Sequence, residues 1–185
     1  MRVAITGASG LAAAIAGALQ DYSINHVRIE DIMNCDWVWE ENDVFINCAH
    51  LGFDQTKLLY QAYEAWQKDS SKYIINISSR AAQPNISQGY MYSAQKASLN
   101  HLTNSLVYNS NKQCRISTIN LGLLNHDDLP SVTHDEVADI VRWLVRMAEF
   151  TELEVPEITV QNRANYRDVQ SDKDAIRDLE WLLQN

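Results

Sequence analysis

The sequence predicts an α/β fold, a doubly wound parallel sheet of about six strands, in a single domain spanning residues 1–185. Three observations carry that prediction. Short apolar runs alternate with amphipathic segments along the whole chain. The first run leads directly into a two-glycine turn and a helical stretch. The length of 185 residues suffices for one sizeable core and falls short of two ordinary domains.

Taken in order, the expected strands are Arg2–Thr6, His26–Glu30, Val44–Cys48, Tyr73–Ile77, Arg115–Asn120 and Glu157–Gln161. Between them the pattern predicts helices near Gly10–Gln20, Asp54–Gln67, Tyr90–Asn109 and His134–Glu149. The last is the clearest. Val137, Ile140, Val141, Leu144, Val145 and Ala148 recur at three- and four-residue intervals, and Thr133 with Glu136 makes a capping box at its start. The stretch from Asp31 to Asp43 is too short for a helix, a strand and a return, since a crossover takes about 10–12 residues. The sheet is therefore expected to be trimmed there, around a third strand and helix. Gln83-Pro84-Asn85 reads as a local turn, and about 172–184 as a C-terminal helix with Ile176, Leu179 and Leu183 on one side.

Composition excludes several classes of function. A net charge of −9 disfavours nonspecific binding to nucleic acid or an anionic membrane, both of which need a basic surface. No apolar run reaches the roughly 20 residues that span a bilayer, and the N-terminus has no signal-peptide pattern, so a cytoplasmic protein is expected. Cys35, Cys48 and Cys114 lack metal-ligand spacing and read as reduced thiols, with no metal site expected. Trp37, Trp39, Tyr63, Trp66 and Trp143 fit helix or loop packing, and offer no stacking platform for bases.

Chemistry enters at Thr6-Gly7-Ala8-Ser9-Gly10-Leu11-Ala12-Ala13. A phosphate loop needs a sharp turn out of the strand and close approach of backbone to pyrophosphate, which Gly7 and Gly10 can supply. The following helix start would offer amides and its dipole to phosphate, with Ser9 and Leu11 beside it. Asp31 lies 21 residues after Gly10, near the offset of about 20 for a ribose-binding acid, with Glu30 as the neighbouring candidate. An acid there accepts from a 2′-hydroxyl and repels a 2′-phosphate, so NAD(H) is expected somewhat ahead of NADP(H). A solvated acid in a strand-end loop explains either residue equally well.

The second constellation is Tyr73-Ile-Ile-Asn-Ile-Ser-Ser79 followed by Tyr90-Met-Tyr-Ser-Ala-Gln-Lys96. Tyr92 and Lys96, four apart at a helix start, leave the same face. Interconverting a carbonyl and an alcohol needs a proton at the oxygen. Free tyrosine has a pKa of about 10, and an adjacent lysine cation favours its phenolate. Ser79 can donate to the same substrate oxygen.

These segments together resemble the short-chain dehydrogenase/reductase family. Tyr92-Ser-Ala-Gln-Lys96 is similar to its YxxxK signature, and Ser79 stands 13 residues before Tyr92, the family's usual spacing. Asn47-Cys48-Ala49-His50 resembles the NNAG segment on the adenine side of the cofactor site. Asn120-Leu121-Gly122 resembles the NxxPG region lining the nicotinamide pocket, with leucine in place of proline, and His134–Asp139 resembles the start of the next helix. The resemblance covers residues 1 to about 161 in order. It implies a Rossmann-type fold and an NAD(P)-dependent oxidoreductase acting on a small alcohol or carbonyl, with Ser79, Tyr92 and Lys96 catalytic. It also assigns Gly7, Ser9, Gly10, Leu11, Asp31, Asn47, Cys48, Ala49, Lys96 and Gly122 to the cofactor.

Departures qualify it. Gly52-Phe-Asp-Gln-Thr-Lys57 lacks the Asn that usually completes a proton relay, and Gln55 is a weak substitute. The glycine spacing resembles the extended branch of the family, but that branch's large C-terminal substrate domain is absent, which favours the compact branch. The short stretch 123–133 implies a shallow, open pocket, or one closed by another subunit. His126 reads as an exposed loop residue ahead of a pocket residue, and His50 can sit near the cofactor. Helices 54–67 and 90–109 resemble those that pair in the family's dimers, so a homodimer or homotetramer is expected. The alternative is a catalytically silent nucleotide sensor of the same fold, motivated by the trimmed segment, the missing Asn and Leu121.

Overall fold

Six parallel strands order as β2-β1-β3-β4-β5-β6 in a computed structural model, which describes residues 1–32, 37–84 and 89–164. The strands are β1 (Arg2–Thr6), β2 (Ser23–Val27), β3 (Val44–Asn47), β4 (Tyr73–Ser79), β5 (Arg115–Leu121) and β6 (Glu157–Val160). The helices are α1 (Leu11–Ala18), α2 (Ile29–Ile32), α3 (Trp37–Glu41), α4 (Asp54–Trp66), α5 (Tyr90–Val107) and α6 (His134–Phe150). The predicted C-terminal helix at about 172–184, Cys35 and Asn85 lie outside the described residues.

Side chains alternate across each strand, and the sheet is buried on both sides. Val3, Ile5, Val44, Ile46, Ile75 and Ile119 face α1 and α6, where Ile15, Val137, Val141 and Leu144 complete one core layer. Ala4, Phe45, Ile74 and Ile116 face the other way, against Leu58, Leu59, Ala62 and Leu99 of α4 and α5. The capping box is present: Glu136 N–H donates to Thr133 Oγ1 at 3.2 Å, and Thr133 N–H to Glu136 Oε2 at 2.8 Å. Thr133→Ala removes one arm of it, and is expected to lower the melting temperature by about 2–4 °C in a calorimetric scan.

The trimming is located. Between β2 and β3 the chain makes only the short helices α2 and α3, and β2 is an edge strand with no third strand beyond it among the described residues. One boundary differs from expectation. The second strand runs Ser23–Val27, not His26–Glu30, because Ile29 and Ile32 are three apart and bury on one side of a helical turn against Val38 and Leu58. Gly7 N–H donates to Val27 O at 3.1 Å and ends the pairing there. The chain leaves β1 toward β2 and then returns to β3 on the other side. This reversal opens a crevice at the carboxyl ends of β1 and β3.

Candidate active site

That crevice is a cleft of about 330 Å³ lined by the glycine loop, the β3 tip, the β4 tip, the start of α5 and the end of β5. Thr6 Oγ1 joins the first two walls, accepting from Cys48 N–H and Ala49 N–H at 2.8 Å each. Gly7 has φ +90°, and a Cβ there would meet Ala49 Cβ at 3.4 Å and Ala12 Cβ at 3.6 Å. A side chain would both strain the turn and fill the loop. Gly10, at φ +53°, precedes α1, whose first turn has no side-chain cap and no acid. No side chain competes with an anion for its amides, of which Ala12 N–H already donates to Ser9 O at 3.2 Å. Ser78 Oγ is buried in the same cleft with no hydrogen-bond partner among the described residues. A polar hydroxyl left in this state suits a ligand that brings its own partner.

Ser79, Tyr92 and Lys96 all line the cleft. Ser79 Oγ accepts from Ala81 N–H at 3.1 Å, capping a short 3-10 turn, and donates weakly to Leu121 O at 3.4 Å. Its proton can rotate to a better acceptor. Tyr92 is 38% exposed, whereas Lys96 is 4% exposed and lies under it, with Nζ 5.7 Å from the ring centroid. Lys96 Nζ donates to Gln55 Oε1 at 2.6 Å and to Ile77 O at 3.0 Å. Desolvation lowers the lysine from its usual 10.5 to about 8.

Sequence reasoning undervalued Gln55. It is buried at the first turn of α4, with its Nε2 donating to Asn47 O at 2.9 Å and Ile77 O at 3.2 Å. One amide thus ties α4, β3 and β4 to the lysine. Asn47 turns inward and does not line the cleft; its Nδ2 donates to Gln55 O at 2.8 Å and Asn76 Oδ1 at 3.0 Å. Asn120 likewise serves the framework, accepting from Asn100 Nδ2 and donating to Glu157 Oε1.

Of the other expected cofactor residues, Gly7, Ser9, Leu11, Cys48, Ala49 and Gly122 meet in the cleft. Burial pushes the Cys48 thiol up to about 12, so it is a neutral wall group. Asp31 is not at a strand tip. It lies inside α2, while exposed Arg28 directly follows β2. The stretch 123–133 folds back on itself through Asn125 N–H to Val132 O and Val132 N–H to Leu123 O, and contributes Leu124 to the cleft wall. His126 is exposed within it, outside the cleft lining. Two histidines stand close by, His50 as expected from its place after β3 and His134 without a predicted role. His134 reaches over the glycine loop, with Cε1 3.6 Å from where a Gly10 Cβ would lie, and His50 packs against Tyr92 at 5.0 Å between ring centroids.

A parallel sheet of this order, with a glycine turn at its switch-point cleft, is a doubly wound α/β fold of the Rossmann type. The model of the short chain dehydrogenase family matches residues 40–136, just over half of the chain, and the chain belongs to that family of oxidoreductases. No curated protein sequence matches it. Among solved structures it is similar to an alcohol dehydrogenase from the archaeon Thermococcus sibiricus complexed with 5-hydroxy-NADP, at 17% identity and a TM-score of 0.70, covering 88% of this chain and 97% of that one. Serine dehydrogenase from Escherichia coli is similar at 16% identity, TM-score 0.65, over 87% and 97% of the two chains. A metagenomic short-chain oxidoreductase in complex with NADP is similar at 21% identity, TM-score 0.64, over 86% and 96%. At these identities the likeness is one of fold.

Proposed function

We propose that this chain is a single-domain NADP(H)-dependent oxidoreductase that interconverts a small carbonyl and the corresponding alcohol. The observation that carries the reading is the convergence of Ser79, Tyr92 and Lys96 with an uncapped, glycine-led helix start in one cleft. When bound, the nicotinamide supplies or accepts the hydride. Tyr92 gives the substrate oxygen its proton in reduction and takes it back in oxidation. Ser79 donates a hydrogen bond to that oxygen and holds it toward Tyr92. Lys96 keeps positive charge beneath the Tyr92 ring and favours the phenolate side of the exchange.

NADP(H) replaces NAD(H) as the favoured cofactor in this reading. The 2′-phosphate of such a cofactor needs a cation near the tip of β2, and Arg28 is the residue there, while Asp31 sits further along in α2. The solved structures with NADP ligands point the same way. Fluorescence titration is expected to show NADPH bound more tightly than NADH. Arg28→Asp is expected to weaken NADPH by at least about tenfold while leaving NADH within about twofold. Equal loss for both would refute the assignment of Arg28.

Turnover of activated dicarbonyls, aldehydes and secondary alcohols, followed by nicotinamide absorbance, tests the reaction itself. Binding without turnover across that panel would favour a silent sensor instead. No described helix is long and apolar enough to cross a membrane. The outer sides of α4 and α5 carry exposed Tyr60 and Tyr108, and we assign the dimer contact to these helices. A monomer by light scattering at micromolar concentration would refute that contact.

A further inference from the structure

We propose that His50 is the relay group that exchanges the Tyr92 proton with bulk solvent; this rests on Tyr92 being the acid/base of the reading above. Each catalytic cycle leaves Tyr92 with one proton too few or too many, and the enzyme must restore it.

Two of the three Lys96 ammonium protons end on groups that carry no proton onward. The Lys96 ammonium donates to Gln55 Oε1 at 2.6 Å and to Ile77 O at 3.0 Å, and Gln55 Nε2 donates to Ile77 O at 3.2 Å. An amide oxygen and a peptide carbonyl accept hydrogen bonds but have no proton to pass on. Lys96 therefore anchors charge beneath Tyr92, and neither of these two bonds leads a proton to bulk water.

His50 supplies it. Its ring meets the Tyr92 ring at 5.0 Å between centroids and 74° between planes, and it lines the same cleft. In the proposed relay a water in the cleft carries the proton between the imidazole and the phenol oxygen. The residue is exposed, so its other side meets bulk water. Gln95 holds the ring in place, with Nε2 3.0 Å from Gln95 Oε1. That oxygen only accepts, which assigns the proton to Nε2 and leaves the Nδ1 lone pair open for a second one. Gln95 is three residues after Tyr92 on α5, so one helix positions both the acid/base and its relay.

Among the described residues, Tyr92 packs on His50 and the Lys96 charge acts on it. Burial and the Lys96 charge lower the imidazole below its ordinary value, so it rests neutral and ready to accept. In reduction the substrate carbon receives hydride from the reduced nicotinamide, and the oxygen takes the Tyr92 proton. An imidazolium formed at His50 from bulk water then returns a proton to Tyr92 through the bridging water. Oxidation runs the same transfers in reverse, and the proton count balances in both directions.

Two measurements test this. In the first, protein labelled with 15N in histidine and saturated with NADP+ is titrated by NMR. His50 is expected as the Nε2-protonated tautomer, and Tyr92→Phe is expected to shift its titration. A titration unmoved by Tyr92→Phe would overturn the relay, whatever the turnover.

In the second, His50→Phe keeps an aromatic ring against Tyr92 but carries no proton. With NADPH and diacetyl as probe, its kcat in dilute buffer is expected to fall about 10- to 100-fold, with the KM for NADPH unchanged and imidazole restoring the rate. A native rate and pH profile in His50→Phe, or a loss that no small buffer restores, would overturn the relay alone if Tyr92→Phe is inactive. Full activity in Tyr92→Phe would instead overturn the underlying assignment of Tyr92.

Discussion

Tyr92→Phe is expected to lower kcat by about 1000-fold, with little change in melting temperature or in affinity for NADPH. General acid–base catalysis contributes about 10²–10⁴, and the variant deletes only the proton that the reaction uses. The structural cost is small because Tyr92 is 38% exposed and its hydroxyl has no described bond on which the fold relies. The ring that packs on His50 and over the Lys96 ammonium remains. Parallel kinetics, calorimetry and fluorescence titration separate these effects. A variant that is slow because it is unfolded would also lose cofactor binding. A variant with a native rate would remove Tyr92 from the chemistry.

Gln55→Leu is the second large effect, on stability as well as on rate. The substitution conserves bulk but strips Lys96 of an acceptor at 2.6 Å and leaves Asn47 O without a donor at 2.9 Å. Leaving a buried charge short of a partner costs about 2–4 kcal/mol, which lowers the melting temperature of a chain this size by about 5–15 °C. The loss also disfavours the charged lysine further. In the native protein Lys96 titrates near 8 instead of its usual 10.5, so between those values the unfolded chain binds more protons than the folded one. Its contribution to stability therefore rises with pH across that window and is constant below it. In Gln55→Leu the lower edge of the window is expected to move below 8, read from denaturant midpoints across pH. Midpoints that follow the native profile would show that the amide does not hold the lysine. Gln55→Asn, one methylene shorter, is expected to recover only part of either effect.

The elements that could be read along the chain were those with a clear period. The α6 stripe Val137, Val141, Leu144 and Val145 is helical in any context that buries one side, and the capping box marks its start locally. The apolar runs of β3, β4 and β5 were bounded to within one or two residues for the same reason. β2 was harder, since Val27 and Ile29 also alternate as a strand would. Burial of Ile29 and Ile32 in one core cluster decided for a helical turn and drew Asp31 away from the strand tip, leaving Arg28 there.

Within the site, the Tyr92–Lys96 spacing on one helix and the Ser79 position at a strand end were legible in local order. The shortened stretch between β2 and β3 was visible as a simple deficit of residues. What the chain order left undecided were contacts between distant segments. Gln55 lies 41 residues from Lys96 and His50 lies 45 from Gln95, and neither pairing has a local signature. They follow from the register of β3 on β4 and from the packing of α4 and α5 on one face of the sheet. Hydrogen-bond partners are set within a few tenths of an ångström, and only the assembled sheet and helices fix positions that finely. Residue type and spacing thus specified the family and the shared helix of Tyr92 and Lys96. The three-dimensional packing decided how the lysine is held and which side of the tyrosine faces water.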